Sequence, residues 1–368
     1  MKKRTSYLLI CLALGLASCG SNKNNPSESF DRQAMLTHFA DEMIVPAYSA
    51  LDFSLSSLEI AANNLTNNPE EAWLMQARET WKASYLEWMR VVAFNFGPAG
   101  EEGIRKGLVE EIGTFPASET KIDSVLIKGV WNLNDFNRDA RGFLAIEYLI
   151  FGKNQSNAEI IALFAADANR RNYLLALVQD IRQRVAAVED GWNNQGYRND
   201  FVSNDGTDSG SSTSNLYNEF VRSYEAIKNF KLGLPMGKRP GQTQAEPQLV
   251  EAYYSGETLT MLKAHLETIE NIWRGRTRSG FDGPGFRDYL ETVQGGPELI
   301  ASTEAQLAAL KNALNAVPET PTVSEQIGSN NTALEALYVE LSKMTRFFKS
   351  DLSSLLGIAI TYSSGDGD

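Results

Sequence analysis

Apolar positions recur at helical spacing along most of the chain. Met35, Phe39 and Met43 step by four, and Pro46 is expected to kink or end that segment. Leu74, Ala77, Trp81, Tyr85, Trp88 and Val92 follow steps of three and four, a stripe wide enough to face a bundle core. That run stops near Phe96-Gly97-Pro98, a fitting helix end. Further helices are expected at about 135–151, 158–190, 216–230, 249–273, 298–317 and 332–356. Runs of alternating residues bounded by turn signals are lacking, so strands should be few. The pattern predicts an all-α protein of two packed helical bundles. Helices of similar size in both halves are compatible with an ancient duplication, although no fixed-period repeat is visible.

Breaks in the pattern divide the chain. Residues 193–215 are dominated by Asn, Gly, Ser, Asp and Thr and read as a flexible linker or long surface loop. It would separate an N-terminal bundle, 30–192, from a C-terminal bundle, 216–368. The glycine-rich stretch 97–107 lacks the GxxxxGK[ST] pattern of a phosphate loop and reads as a turn. At the start, Lys2-Lys3-Arg4, the apolar run Tyr7 to Leu16 and then small residues mark a secretory signal over 1–18. Leu16-Ala17-Ser18-Cys19 has the form of a bacterial lipobox, which makes Cys19 the expected lipid anchor and 19–29 a flexible tether. The expected location is the cell envelope, with the membrane as partner. Gly20 in place of Asp leans the assignment to the outer membrane.

Composition narrows the chemistry. The only other cysteine, Cys11, lies in the signal, so the body has no disulfide, CxxC metal site or thiol nucleophile. The formal charge is −12, and loss of the three basic residues with the signal leaves 46 acids against 31 bases, or −15. Such a surface repels phosphate backbones, and nucleic acid is not expected as a partner.

Candidate chemistry is sparse. The two histidines, His38 and His265, form no HExxH motif, and His38 with Asp41 reads as a solvated pair on one helical face. The cluster Arg274, Arg276, Arg278 reads as a solvated loop that could hold an anion. The segment Gly142 to Gly152 differs: it is apolar around its whole circumference, and Glu147 is its only charge. A carboxylate there is costly unless paired, hydrogen-bonded or metal-bound. Either an arginine such as Arg90 or Arg141 pairs with it, or it is a site carboxylate with a raised pKa or a bound cation. Arg90 lies in a similar apolar run, and Ser255 and Glu251 start the corresponding helix of the second half. All three are candidates for lining the same pocket.

The segment around Glu147 resembles the GxHxxE motif of the imelysin family, the M75 peptidase-like envelope proteins that are often iron-regulated lipoproteins. Gly142 and Glu147 match, but Leu144 stands at the histidine position. Trp81 through Phe96-Gly97 resembles the family's aromatic helix ending in an FG turn. Lys231 to Gly237 resembles its K-x-x-x-P-x-G connection. Tyr254-Ser255, Trp273-Arg274-Gly275 and the Asp366-Gly367-Asp368 ending are similar to relatives as well. The resemblance implies two helical bundles around a ligand cleft faced by Glu147, with Arg90, Ser255 and Glu251 beside it. It also implies a binding or accessory role in iron or other metal acquisition, with an outer-membrane uptake protein as partner. Iron or zinc through Glu147 is the implied metal, weakened by Leu144, which has no donor atom. The rivals are an M75-type metal-dependent peptidase, and a degenerate scaffold without metal that docks to an outer-membrane partner.

Overall fold

The computed structural model describes residues 30–103 and 105–362. The signal 1–18, Cys19, the tether 19–29 and the 366–368 ending lie outside the described residues. About 70% of the structure is helical, and among the described residues there is no strand, only two isolated bridges.

Eight helices make the two bundles. In the first half they are α1 (Val45–Asn67), α2 (Glu71–Val91), α3 (Gly142–Phe151) and α4 (Ala168–Asn193). In the second they are α5 (Ser212–Ala226), α6 (Thr258–Arg274), α7 (Gly296–Asn315) and α8 (Thr332–Arg346). Helix α1 packs on α2 and α4, and α3 closes that bundle against α2 and α4. Helix α5 packs on α6 and α8, and α8 packs on α7. The halves meet where α2 lies against α6. All six apolar positions of the stripe from Leu74 to Val92 are buried, Trp81 and Tyr85 completely. No helix among the described residues is long and apolar enough to cross a membrane.

Helix ends follow the local chemistry. Ser156 and Glu159 form a capping box, and the Asp167 carboxylate accepts from the Asn169 N–H at 2.8 Å, which breaks the expected 158–190 helix in two. Gly275, at φ +63°, ends α6 in a left-handed turn.

Pro46 does not end the first segment. Arg32–His38 runs through a π-helical turn, Phe39–Ile44, directly into α1. Proline donates no N–H and crowds the carbonyl four residues back, and the widened turn accommodates both effects. Two more π turns, Ile227–Gly233 after α5 and Phe347–Leu352 after α8, extend their helices in the same way.

Residues 193–215 are more ordered than their polar composition suggests. Tyr197–Ser203 is a helix whose Phe201 is buried and stacks on Phe96. Ser211 caps α5, and Ser212, Thr213 and Ser214 are buried behind it. Two aromatics in a polar stretch are enough to pin it to the body.

Candidate functional site

Helix α3 is the central buried helix that its apolar circumference predicts, and its geometry is set from outside. Gly142 opens it at φ +75°, where a Cβ would run into the Ile112 carbonyl. Trp81 donates its indole N–H to the Phe143 carbonyl at 2.9 Å. At the other end Arg170 and Arg78 donate to the Leu149 and Ile150 carbonyls at 3.0 and 2.9 Å, satisfying acceptors the helix leaves free.

Glu147 is wholly buried on this helix. Its Oε1 accepts from both the Ser255 N–H, at 2.8 Å, and the Ser255 hydroxyl, at 2.6 Å. Its Oε2 is buried with no hydrogen-bond partner. Burial pushes the carboxyl up to about 8, and Glu251 adds to the rise against the lowering effect of the Ser255 bonds. At neutral pH Glu147 is therefore mainly a neutral acid.

The partner turn, 251–257, is held by the first half at four points. Tyr85 donates to Glu251 at 2.7 Å, Ser255 binds Glu147, Tyr254 donates to Glu119 at 3.1 Å, and Lys82 pairs with Glu257 at 2.6 Å. Within the turn Ala252 adopts φ +56°, a conformation that costs a residue with a Cβ roughly 1–2 kcal/mol. Behind it Lys231, carried by the second π turn, places its ammonium 2.7 Å from Glu251 and 3.1 Å from the Met89 sulfur. Burial lowers the Lys231 pKa and Glu251 works against that.

Three of the four sequence-predicted site residues, Glu147, Ser255 and Glu251, thus converge on one seam between the halves. Tyr85 and Lys231 join them. The sequence signal for both was present, a phenol in the apolar stripe and a lysine between Phe230 and Leu232.

Arg90 stands elsewhere. It pairs with Glu87 at 2.6 Å, while Arg141 binds Glu111, so neither arginine partners Glu147. Arg138 and Arg184 approach the same Glu111 at 3.0 and 3.4 Å. Burial would raise Glu111, but these arginines outweigh it and hold the carboxyl below its usual range. His38 hydrogen-bonds the Gly275 carbonyl at 2.7 Å and Asp41 pairs with Arg198, so the expected His38–Asp41 pair is split. His265 shares a 2.6 Å hydrogen bond with Ser223, and burial with the nearby Lys231 keeps its pKa well below the usual value. Arg274 binds Glu270 and Glu304, Arg276 binds Asp282 and Arg278 binds Glu87.

A resident metal does not fit the residues around Glu147. Structural or catalytic zinc asks for three or more protein donors. Leu144 offers none, the Glu251 carboxylate is engaged by Tyr85 and Lys231, and both histidines are bound elsewhere. Among the described residues no group of three His, Cys, Asp or Glu side chains is placed to hold an ion.

The open cleft between the halves lies at Arg90. It has a volume of about 210 Å³, with Met43, Phe94 and Ile272 as apolar lining and Glu42, Arg90 and Glu267 among its charged residues. Arg276, Thr277 and Arg278 complete one wall. Glu147 is not among the lining residues and has no exposed surface, so it does not face this cleft.

Comparison with known proteins agrees with the fold. The family model described as imelysin, peptidase M75, matches residues 44–346. Iron-regulated protein A of Synechococcus elongatus is 26% identical over 333 residues, 86% of this chain and 84% of that protein. The crystal structure of a candidate iron-regulated protein A precursor from Parabacteroides distasonis superposes with a TM-score of 0.72 at 15% identity, covering 88% of this chain and 95% of that one. An imelysin-like protein from Psychrobacter arcticum gives 0.70 at 18% identity, covering 90% and 97%. With the motif glycine and glutamate in place on a buried helix, and a family match over most of its length, the chain belongs to the imelysin family.

Proposed function

We propose that this protein is a binding or accessory lipoprotein of iron acquisition, anchored to the envelope through Cys19, with its ligand site in the cleft at Arg90. The observation that carries the binding reading over the hydrolytic one is the enclosure of Glu147. A catalytic carboxyl must reach its substrate, and this one has no exposed surface and is engaged by Ser255. The M75-type peptidase reading also needs a metal-donor set that the residues around Glu147 do not supply. The iron connection comes from the iron-regulated protein A of Synechococcus elongatus, to which this chain is similar over most of its length. The anchor would keep the cleft near a membrane, where an uptake protein could be the partner.

The test is cellular iron content. A strain lacking the protein, grown under iron limitation, should accumulate less iron than its parent, and the full chain should restore it. Unchanged iron content in the deletion strain would overturn the proposal. Restoration by Cys19→Ser as complete as by the natural chain would remove the anchor from it.

A further inference from the structure

The charges around the cleft at Arg90 do not balance locally. Glu87 alone faces two guanidinium groups: Arg90 at 2.6 Å through one carboxylate oxygen and Arg278 at 2.8 Å through the other. Among the described residues neither arginine has another ion-pair partner, so this wall carries one positive charge in surplus. Arg276, on the same side, is neutralised by Asp282 at 2.6 Å. The cleft is also lined by the exposed carboxylates Glu42 and Glu267, which make no side-chain hydrogen bond or ion pair among the described residues. Between these charges lie Pro46 and Ala47, which are accessible, backed by the buried Met43, Phe94 and Ile272.

A guanidinium presents a planar fork suited to a carboxylate, and Arg90 and Arg278 each use only one terminal nitrogen on Glu87. The unpaired carboxylates suit a cationic group. The apolar lining suits a hydrocarbon body. A volume of about 210 Å³ is on the scale of a small organic molecule. Residues from both halves line the space, so an occupant touches both.

We propose that the cleft binds a small zwitterion with an apolar body, of the amino-acid type. Arg90 and Arg278 take its carboxylate, Glu42 and Glu267 take its ammonium group, and Pro46, Ala47 and the edge of Met43 cover its side chain. This rests on the reading of the cleft as the ligand site, and it names the ligand class.

The full chain, in detergent, is titrated calorimetrically with L-phenylalanine, L-leucine, phenylpropionate and phenethylamine. The amino acids should bind, and phenylpropionate and phenethylamine should each bind about ten-fold more weakly, the cost of one lost charge contact of about 1.4 kcal/mol. Arg278→Gln should weaken L-phenylalanine and phenylpropionate and leave phenethylamine unchanged. Glu267→Gln should do the reverse for the amine. Absence of amino-acid binding, binding no tighter than that of the half-molecules, or binding indifferent to both variants would each overturn the assignment. An iron deficit in the deletion strain alongside such a failure would retire the ligand class and leave the wider function standing.

Discussion

Ser255 places both its amide and its hydroxyl on a single oxygen of Glu147 and leaves the other oxygen of that carboxyl enclosed and unpartnered. A side chain of the first half is thereby bound to a turn of the second, in a setting that favours its neutral form. The protonation of one group is linked to the stability of the seam.

That linkage has a definite sign. Between its ordinary value of 4.5 and about 8, Glu147 keeps in the folded chain a proton that the unfolded chain has released. Its contribution to stability therefore falls as pH rises through that window and levels off above it. Glu147→Gln retains the shape without the ionisation. Urea unfolding at pH 5, 6.5 and 8 should show the variant gaining on the natural chain as pH rises. Parallel profiles would mean that Glu147 is ionised in the folded protein throughout.

Ser255→Ala removes both the hydroxyl donor to Glu147 and the oxygen that accepts from the Glu257 N–H within the turn. A buried acid losing a donor should cost about 1–3 kcal/mol, read as a lower denaturation midpoint. Ser255→Thr, which retains the hydroxyl, should recover part of the loss. Equal loss in both variants would assign the effect to backbone disturbance.

Lys231 and Glu251 are almost wholly buried and 2.7 Å apart. Lys231→Met leaves the Glu251 charge with only Tyr85 and should destabilise the fold by about 3–5 kcal/mol. Adding Glu251→Gln should return much of that, because the double variant buries no unpaired charge. A double variant as unstable as the single one would contradict the pairing.

Much of this architecture was legible in the pattern of apolar residues, and the exceptions have physical causes. The stripe from Leu74 to Val92 and the buried circumference around Glu147 depend on periodicity within one helix, which sequence carries directly. So does the suspicion attached to Glu147, because a lone charge in an apolar run needs a partner. Which partner it takes is a long-range matter. Arg141, six residues away, is drawn off by Glu111, and Ser255, more than a hundred residues away, takes its place. The family resemblance implies a cleft at Glu147, because it puts both at the meeting of the two bundles. Packing of α2 on α6 closed the seam at one level and left it open at another, near Arg90. The continuation through Pro46 was hidden because a π turn has no simple composition signature.

Gly142→Ala tests the glycine of the motif as a structural residue. Its φ of +75° and the Ile112 carbonyl behind it predict a loss of at least about 1–3 kcal/mol, with no requirement for any ligand. A fully stable alanine variant would show that the turn before α3 can relax.

Leu144 is buried one helical turn before Glu147. Leu144→His adds one donor where three or more are needed, so calorimetry with zinc should show no site in either form. The variant should unfold more readily because it buries a polar ring without an arranged partner. Stoichiometric zinc binding by the natural chain, abolished by Glu147→Ala, would reverse the conclusion drawn from the donor set.

The π turn at Ile227–Gly233 bears on how this site can vary through descent. A widened turn of this kind amounts to one extra residue in an otherwise regular helix. Removing a single codon ahead of Lys231 would let the turn close to regular α-helical winding and change the direction in which Lys231 projects. The lysine and the glutamate it neutralises would then part without either being substituted. Point replacement therefore explores only some of the routes by which relatives could alter the chemistry of this seam; a one-residue indel inside a helix, ordinarily counted as damage, is another.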